Sequence, residues 1–369
     1  MKVAYFIGSL NRGGTEMLTL DICRKKDYAP YDMVLIYRND GELTEDFMVT
    51  GIPMYKIKPK RLKIGYLWRL RRLIKKENVD VVHALTLPNG FVSVLFTAFT
   101  RVKLIVAFHG FFTSAKDRFY THFVMWFANA SVFVSNYVRD WYINETLFAP
   151  LERCYVVYDG VDFSKLDKKY PIPDFLENRA QASSETIKLA MVGNFVSGRS
   201  QNFLCQALKQ FKDNCSCDFQ FYFIGKKSES EPYLYDNCVN YCKRNGLWNT
   251  TVFFLGGRGD VPAILQNIDA FVYSTNDDTF GIAVVEAIAS GLPVVVNDWD
   301  VMKEITEDGK HAVLYKTKDV DDLTAKLTDV INNLAHYRNL SLTNAEIVRQ
   351  RFSIDFHIQN LNKLYNTIL

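Results

Sequence analysis

Two carboxylates, Asp278 and Glu286, lie eight positions apart in the segment DAFVYSTNDDTFGIAVVEAIASGLPVVV, residues 269–296. The pattern predicts a strand, a polar loop that contains Asp278, a helix that contains Glu286, a turn with glycine and proline, and a second strand. A helix N-terminus favours negative charge, so the segment predicts a site for an anion such as a diphosphate. The residues between the acidic loop and the helix are Thr279, Phe280, Gly281.

A strong cation follows another predicted strand, in the segment MVGNFVSGRS at residues 191–200. The guanidinium of Arg199 would suit a phosphate, because its planar fork binds two oxygens at once. An arginine in such a loop is also a common surface charge, and the sequence leaves both interpretations open.

A glycine pair, Gly13-Gly14, follows the first strand of the chain and precedes a helix expected to begin near Thr15 or Glu16. The pair would let a ligand approach the backbone at a helix N-terminus, although a plain tight turn explains it equally well. His109 ends the hydrophobic run IVAF, where α/β folds present site residues to a ligand crevice. A satisfied structural histidine is the alternative.

Length and composition bound the class of protein. A chain of 369 residues, 48% hydrophobic and 23% charged, is typical of a soluble protein with about two domains. The first residues lack the apolar run of a signal peptide, and the longest apolar stretch, residues 91–99, is about half of a membrane span. We therefore expect a cytoplasmic protein. Seven scattered cysteines without paired CxxC spacing indicate reduced thiols and no metal site.

A block of positive charge without intervening acids covers residues 56–76 and includes a predicted amphipathic helix. A solvated helix face is one interpretation, and attraction to an anionic membrane surface or a lipid diphosphate is the other. The aromatic run at residues 108–127 would join such a surface, unless its side chains are packed in the interior. Nucleic acid is not expected, since no nucleic-acid-binding motif accompanies the charge.

Short β-rich runs alternate with helical patterns along the chain, which indicates parallel sheets. We predict an N-terminal Rossmann-like, acceptor-binding domain over residues 1–165, a linker over 166–186 and a C-terminal Rossmann-like, donor-binding domain over 187–345. A C-terminal helix over 346–369 would follow, with packing against the N-terminal domain as one option. Two doubly wound domains facing each other would form a central ligand cleft.

The chain resembles the glycosyltransferases of family 4, nucleotide-sugar enzymes with two Rossmann-like domains in the arrangement called GT-B. The motifs that support the resemblance are SLNRGGTE at 9–16, His109 after its strand, MVGNF with Arg199 six positions after Gly193, FYFIG at 221–225, LGGRGDVP at 255–262 and DTFGIAVVEAIASGLPVV at 278–295. The usual Glu-x7-Glu pair is Asp278-x7-Glu286 in this chain, and Asn194 replaces a common arginine.

The resemblance implies that Glu286 binds the donor ribose, that Asp278 addresses the donor sugar and phosphates, and that His109 lies near the donor sugar. These three residues are the expected catalytic set, and no metal or other cofactor is expected. The donor-binding set that it implies is Gly14, Asn194, Arg199, Gly257, Arg258, Thr279, Phe280, Gly281, Ile282, Glu286. The acceptor-binding set is Gly13, Thr15, Glu16.

The resemblance thus implies a retaining transferase of hexosyl or N-acetylhexosaminyl type. It would move a sugar from a nucleotide diphosphate sugar, with UDP as the expected nucleotide, to a hydroxyl of a glycan or lipid-linked saccharide in cell-surface polysaccharide synthesis. The expected location is the cytoplasm, with peripheral contact to the inner face of the cytoplasmic membrane as an option. Two alternatives remain: a non-catalytic binding protein for nucleotide sugars or glycans, and a GT-B sugar-nucleotide epimerase.

Overall fold

Two α/β units make up the chain in this structure, a computed structural model that describes residues 1–59, 63–112, 114–146, 149–177, 186–215 and 217–369. The first unit contains Met1–Asp162 together with Phe352–Leu369, and the second contains Phe163–Arg351. Each unit is built on one parallel sheet, as the alternation of strands and helices predicts.

The first unit has a seven-stranded sheet in the order β3-β2-β1-β4-β5-β6-β7. Its strands are β1 (Lys2–Phe6), β2 (Asp32–Tyr37), β3 (Met54–Lys56), β4 (Val81–Ala84), β5 (Lys103–Phe108), β6 (Ala130–Phe133) and β7 (Cys154–Val156). Its helices before the linker region are α1 (Gly14–Arg24), α2 (Thr44–Val49), α3 (Lys63–Lys76), α4 (Leu87–Thr97), α5 (Ala115–Phe127) and α6 (Asn136–Glu145), with a 3₁₀ turn at Leu151–Arg153.

The second unit has a six-stranded sheet in the order β10-β9-β8-β11-β12-β13. The strands are β8 (Ile187–Val192), β9 (Phe219–Ile224), β10 (Val252–Phe254), β11 (Ala270–Tyr273), β12 (Val294–Asn297) and β13 (Val313–Tyr315). Its helical elements are a 3₁₀ turn (Phe163–Lys165), α7 (Asp174–Glu177), α8 (Gln201–Asn214), α9 (Pro232–Arg244), α10 (Val261–Leu265), α11 (Ile282–Ala289), α12 (Asp300–Thr306), α13 (Val320–Asn332) and α14 (Leu334–Phe352). The last helix, α15 (Ile354–Ile368), returns to the first unit.

Both sheets reverse their strand order at one point, between β1 and β4 in the first unit and between β8 and β11 in the second. The central strands are rich in β-branched and aromatic residues and buried on both faces, which is why their runs are continuously apolar. Loops that follow the strands at such a reversal point are the usual ligand-binding position of open α/β sheets. The topology therefore directs attention to those loops.

The unit boundaries differ from the predicted domains at the linker and at the C-terminus. Within the predicted linker 166–186, the side chains of Leu166 and Leu176 are buried, so its described part packs as the start of the second unit. The rest of that linker, residues 178–185, lies outside the described residues. At the other end, Ser353 caps α15 by accepting a hydrogen bond from the backbone N–H of Phe356 at 3.1 Å. Two helices, α14 and α15, therefore replace the single C-terminal helix expected over 346–369.

Helix α15 packs into the core of the first unit. Its Tyr365 hydroxyl lies 3.2 Å from that of Tyr5 and 2.8 Å from Nδ1 of His83, and the hydroxyl of Tyr31 lies 3.0 Å from that of Tyr5. Burial is the main cause that raises the pKa of Tyr5 and of Tyr365. This dry, hydrogen-bonded cluster anchors the end of the chain to β1 and β4.

Three sequence expectations concern the remaining features. Within the described residues, no helix is long and apolar enough to cross a membrane, and no group of three or more His, Cys, Asp or Glu side chains has the arrangement of a metal site. The expectation of reduced thiols is wrong for one pair, because Cys215 and Cys217 form a disulfide. The free cysteines are Cys23, Cys154, Cys205, Cys238, Cys242.

Candidate functional site

The loops after β8 and β11 meet at the reversal point of the second sheet. The backbone N–H of Ser200 donates to Ser274 O at 3.2 Å, and that of Asn276 donates to Gly198 O at 2.9 Å. Gly198 has a φ of +91°, and a Cβ added there would lie 2.5 Å from Cβ of Asp277, so glycine is required where the two loops cross. Two segments far apart in sequence thus form one rigid edge.

Arg199 and Asp278 form the centre of this edge. The guanidinium of Arg199 donates to Asp278 Oδ2 and to the Tyr273 hydroxyl. The Tyr273 hydroxyl in turn donates to Asp278 Oδ2 at 2.7 Å, and its ring lies 5.2 Å from the guanidinium carbon. The structure therefore fixes the cation of the predicted diphosphate site through a carboxylate and a phenol.

The environment of Asp278 is dry. Its side chain is 10% exposed, against 24% for Arg199. Burial raises the pKa of Asp278, and the adjacent Arg199 opposes that shift. Burial, followed by repulsion from Asp278, raises the pKa of the neighbouring Asp277. In this arrangement the Asp278 carboxylate is occupied with Arg199 and Tyr273, and its expected contact with a donor sugar stays a prediction.

Helix α11 begins directly after this cluster. Gly281 is its N-cap residue with a φ of +90°, and no side chain caps the first turn. A Cβ on Gly281 would lie 2.7 Å from Cε of Met302, so both conformation and space require glycine. Phe280 is buried beneath the turn, Thr279 and Ile282 are partly exposed, and Glu286 lies half-buried in the second turn. The predicted segment therefore has the strand, loop and helix that its pattern indicates.

Three loops of the second unit adjoin on the other side of β8. The exposed Asn194 accepts a hydrogen bond from the backbone N–H of Lys226 at 2.8 Å. A Cβ on Gly225 would lie 2.0 Å from Gly193 O, and one on Gly257 would lie 2.4 Å from the Lys226 side chain. Asn194 thus stabilises the loops where the resemblance expects a phosphate-binding arginine.

Arg258, predicted to bind the donor, is engaged within its own loop. Its guanidinium makes two hydrogen bonds to Asp260, of 2.8 and 2.6 Å, and lies 4.8 Å from the ring centroid of Phe175. Hydrogen bonding to Arg258 lowers the pKa of Asp260. Arg258 and Gly257 are both exposed at this edge.

The first unit brings together the other predicted residues. His109 follows β5, and its Nδ1 lies 3.6 Å from Oδ1 of Asp159 in the loop after β7. Glu16 lies in the first turn of α1, which begins at Gly14, and a Cβ on Gly13 would lie 2.5 Å from Glu16 Oε2. Burial raises the pKa of Glu16, and attraction to His109 opposes the shift. The remaining predicted acceptor residue, Thr15, lies in the same turn, and its carbonyl accepts from the Thr19 hydroxyl at 2.7 Å.

A cavity of about 20 Å³ lies behind His109. Its polar lining includes His83, Asp159 and His357 of α15, and the volume is enough for about one water molecule. Nδ1 of His357 lies 2.6 Å from the Tyr158 carbonyl, so α15 contacts the loop that contains Asp159. Burial lowers the pKa of His83 to about 3.

Sequence reasoning missed Tyr273, Asp159 and His357. Tyr273 ends β11 and Asp159 follows β7, so their positions after parallel strands were a usable signal. No signal of that kind exists for His357, because its contact with Tyr158 joins residues 199 positions apart in the chain.

Comparison with known proteins identifies the class. Residues 174–346 match the family model described as glycosyl transferases group 1, and residues 12–165 match the model of Glycosyltransferase Family 4. The fold and both matches define a GT-B glycosyltransferase. The chain belongs to glycosyltransferase family 4.

Individual relatives are distant. The chain is 23% identical over 304 residues to an uncharacterized glycosyltransferase of Methanocaldococcus jannaschii, which covers 81% of the chain and 78% of that protein. It is 23% identical over 321 residues to a UDP-Gal:alpha-D-GlcNAc-diphosphoundecaprenol alpha-1,3-galactosyltransferase of Escherichia coli, with 82% and 81% covered. The HepE protein of Anabaena, solved with UDP and glucose, superposes over 100% of both chains with a TM-score of 0.85 and 20% identity.

Proposed function

We propose that this glycosyltransferase moves a hexosyl or N-acetylhexosaminyl group from a UDP-sugar to a hydroxyl of a glycan or lipid-linked saccharide in cell-surface polysaccharide synthesis, with retention at the anomeric carbon. The observation that supports it best is the guanidinium of Arg199, held by Asp278 and Tyr273 at the reversal point of the second sheet. UDP is the preferred nucleotide because the HepE structure contains it and the name of the Escherichia coli relative includes it.

The reaction separates a diphosphate from the anomeric carbon of the donor, and negative charge grows on the leaving group. Arg199 would neutralise that charge, and the uncapped first turn of α11 would add backbone N–H donors. The half-buried Glu286 would bind the ribose hydroxyls. In this scheme the cations of the chain stabilise the leaving group, so we propose transfer without a metal cofactor. EDTA should leave the rate unchanged.

In the first unit, His109 would contact and orient the donor sugar, and Asp159 would orient the His109 ring. The Gly13-Gly14 turn and Glu16 would contact the acceptor. Retention requires attack from the face that the diphosphate leaves, which family resemblance implies. A proton NMR assay of the newly formed product distinguishes the α from the β linkage and tests retention directly.

Two competing functions are separable by experiment. A non-catalytic nucleotide-sugar protein would bind the donor without transfer or hydrolysis. A sugar-nucleotide epimerase would convert a free nucleotide sugar without any acceptor. The ion pair between Asp278 and Arg199 does not favour either alternative over sugar transfer, because Arg199 keeps the positive charge that would stabilise a leaving diphosphate.

The decisive experiment is a thermal-shift screen against UDP-, GDP-, ADP- and TDP-sugars, followed by a hydrolysis assay with each stabilising sugar. A true donor raises the melting temperature by mass action. Glu286→Ala should abolish the shift and the slow hydrolysis, whereas Glu346→Ala, a matched change at an exposed position of α14, should affect neither. If no nucleotide sugar shifts the melting temperature at millimolar concentration, the donor assignment is wrong.

We also propose peripheral contact with an anionic membrane, the inner face of the cytoplasmic membrane in a cell. Helices α3, α4 and α5 pack side by side. Ile64 and Trp68 on α3 are 81% and 60% exposed, and Phe99 after α4 is fully exposed. The basic residues Arg71 and Arg72 lie on the exposed face of α3. Of the predicted aromatic run, Phe108 is buried and Trp126 is exposed, so the run only partly belongs to this face.

A further inference from the structure

An open depression of about 520 Å³ lies at the carboxyl ends of β1, β2 and β3 in the first unit. The residues that line it are Gly8, Ser9, Arg38, Asn39, Lys58, Pro59. None of these residues belongs to the donor or acceptor sets that the sequence predicts. The depression lies where open α/β sheets bind ligands, beyond the ends of parallel strands.

The edge around the depression is rigid. The backbone N–H groups of Arg38 and Asn39 both donate to Gly8 O, at 3.1 and 3.2 Å, and the N–H of Leu10 donates to Asn39 O at 3.1 Å. A Cβ on Gly8 would lie 3.3 Å from Nη2 of Arg38, so the guanidinium lies directly against the glycine. Arg38 is thereby positioned before any ligand arrives, which reduces the entropy lost on binding.

Within the described ranges, the two cations of the depression have no direct ion-pair partner. Among the described residues, no carboxylate forms an ion pair with Arg38 or Lys58. The nearby acids have other direct partners, Asp40 with Lys56 and Glu42 with Arg12. Lys56 lowers the pKa of Asp40, and Lys58 adds to that shift from a greater distance. A guanidinium fork and an ammonium that no carboxylate contacts directly are suited to bind a phosphate or diphosphate.

The segment that contains Lys58 contacts helix α3, which also presents exposed apolar side chains. The Arg69 side chain donates to the carbonyl of Lys58 at 2.6 Å and to that of Gly65 at 3.3 Å. Ile64, next to Gly65, is largely exposed. An anion bound by Arg38 and Lys58 would therefore lie only a few residues along the chain from an exposed apolar surface that suits a lipid. This favours the phosphate of a lipid over free inorganic phosphate.

We propose that Arg38 and Lys58 bind the phosphate or diphosphate ester of a lipid-linked acceptor. This proposal rests on the proposed function, since it assigns the acceptor class of the same enzyme. The ligand is a phosphate ester on a hydrocarbon chain. Two sources of it, the acceptor lipid and the bulk phospholipid headgroups, are separated by the experiments below.

The kinetic experiment compares two acceptors that differ only in charge: a saccharide on a short polyprenyl diphosphate, and the same saccharide on an uncharged octyl group. Arg38→Gln and Lys58→Gln should each raise KM for the diphosphate acceptor about tenfold or more, as loss of a charge-assisted hydrogen bond requires. KM for the octyl acceptor and the rate of donor hydrolysis should not change. Equal effects on both acceptors, or no effect on the charged one, would overturn the proposal.

A matched variant controls for net charge. Arg101→Gln removes the same charge from an exposed residue just before the amino end of β5, whereas the depression lies at carboxyl ends of strands in the same sheet. It should leave both KM values at the wild-type level. An increase equal to that of Arg38→Gln would show that only the overall charge matters, and would also overturn the proposal.

A binding experiment without donor separates this proposal from the proposed function. Geranyl diphosphate is titrated into Arg199→Gln protein, in which the predicted donor cation is absent. Adding Arg38→Gln should weaken binding about tenfold or more, and adding Arg101→Gln should not. If wild-type protein hydrolyses no nucleotide sugar yet this difference appears, the proposed function fails while the anion site stands. If Arg38→Gln leaves geranyl diphosphate binding intact but abolishes binding to phosphatidylglycerol vesicles, the site serves bulk headgroups and the acceptor assignment is wrong.

Discussion

The Tyr273 hydroxyl donates to Asp278 Oδ2 at 2.7 Å, and the same oxygen accepts from the guanidinium of Arg199. One carboxylate oxygen therefore fixes both partners at the reversal point of the second sheet. The carboxylate that motif comparison assigns to the donor sugar is, in this chain, bound to the cation that we assign to the diphosphate. Its function would be to position that cation before the reaction starts.

Asp278→Asn tests this function. The substitution preserves side-chain size but removes the charge that balances a mostly buried Arg199, so the free energy of unfolding should fall by about 2 kcal/mol. The rate of transfer should fall about tenfold or more, while the donor Kd changes little because Arg199 keeps its charge. Urea unfolding and steady-state kinetics measure the two effects.

The neighbouring residue supplies the control. Asp277 is exposed and its side chain makes no ion pair in the described part of the chain. Asp277→Asn should change the free energy of unfolding by less than about 0.5 kcal/mol. If both variants behave alike, or if Asp278→Asn is as stable and active as wild type, Asp278 does not position Arg199.

A second prediction concerns His109. The Asp159 carboxylate lies 3.6 Å from His109 Nδ1 and is 10% exposed, so it would orient the ring toward the ligand edge. Asp159→Ala should lower kcat about tenfold with little change in donor KM, because ring orientation matters most in the transition state. Asp159→Asn should lower kcat about as much as Asp159→Ala, because the 3.6 Å contact is electrostatic and the amide carries no charge.

The control for Asp159 is Asp140→Ala, which removes an exposed carboxylate from α6 of the same unit. Its kcat should equal that of wild type. A rate in Asp159→Asn close to that of wild type would contradict an electrostatic function for this carboxylate.

A third prediction tests the membrane face. The double variant Ile64→Ser with Trp68→Ser should weaken binding to phosphatidylglycerol vesicles about tenfold or more, because two exposed apolar side chains no longer enter the interface. Salt should weaken wild-type binding by screening the basic residues of α3. The matched variant Leu340→Ser with Leu342→Ser removes exposed apolar groups from α14 and should bind as wild type. Salt-insensitive binding, or no binding at low ionic strength, would refute the proposal.

Most of the second unit could be predicted from its sequence, because its signals are local. The loop with Asp278, the helix with Glu286 and the glycine before it all follow from a continuous segment, and the structure forms them as expected. The parallel pairing of the strands also follows from the alternation of strands and helices. Local patterns were sufficient wherever the relevant residues are close in the chain.

The partners of those residues could not be predicted, because they depend on tertiary contacts. Nothing in the sequence indicates that the Asp278 carboxylate meets Tyr273 and Arg199, or that His357 of α15 contacts the Tyr158 carbonyl. The break at Ser353 was missed for another reason: one serine with helix-capping geometry interrupts a pattern that looks continuously helical. The sequence also does not indicate which cations form ion pairs, and the absence of an ion pair at Arg38 among the described residues became visible only in the structure.

The last prediction concerns acid stability and uses His83. Burial lowers its pKa to about 3 in the folded protein, from 6.5 for an exposed histidine. As the pH falls below 6.5, the unfolded chain therefore takes up a proton at this position and the folded chain does not, so folding stability decreases until about pH 3. Above pH 6.5 the contribution is constant, because His83 is neutral in both states.

His83→Asn should reduce this pH dependence. An asparagine keeps a polar contact to the Tyr365 hydroxyl but does not titrate. Between pH 6.5 and about pH 3, the free energy of unfolding should therefore fall less steeply than in wild type, by up to about 1.4 kcal/mol per pH unit. The variant will be less stable than wild type at neutral pH, and the comparison is therefore one of slopes, from urea unfolding at several pH values. His336→Asn, at an exposed position of α14, should leave the wild-type slope unchanged. If His83→Asn has the wild-type slope, the pKa of His83 is not lowered by burial in the folded core.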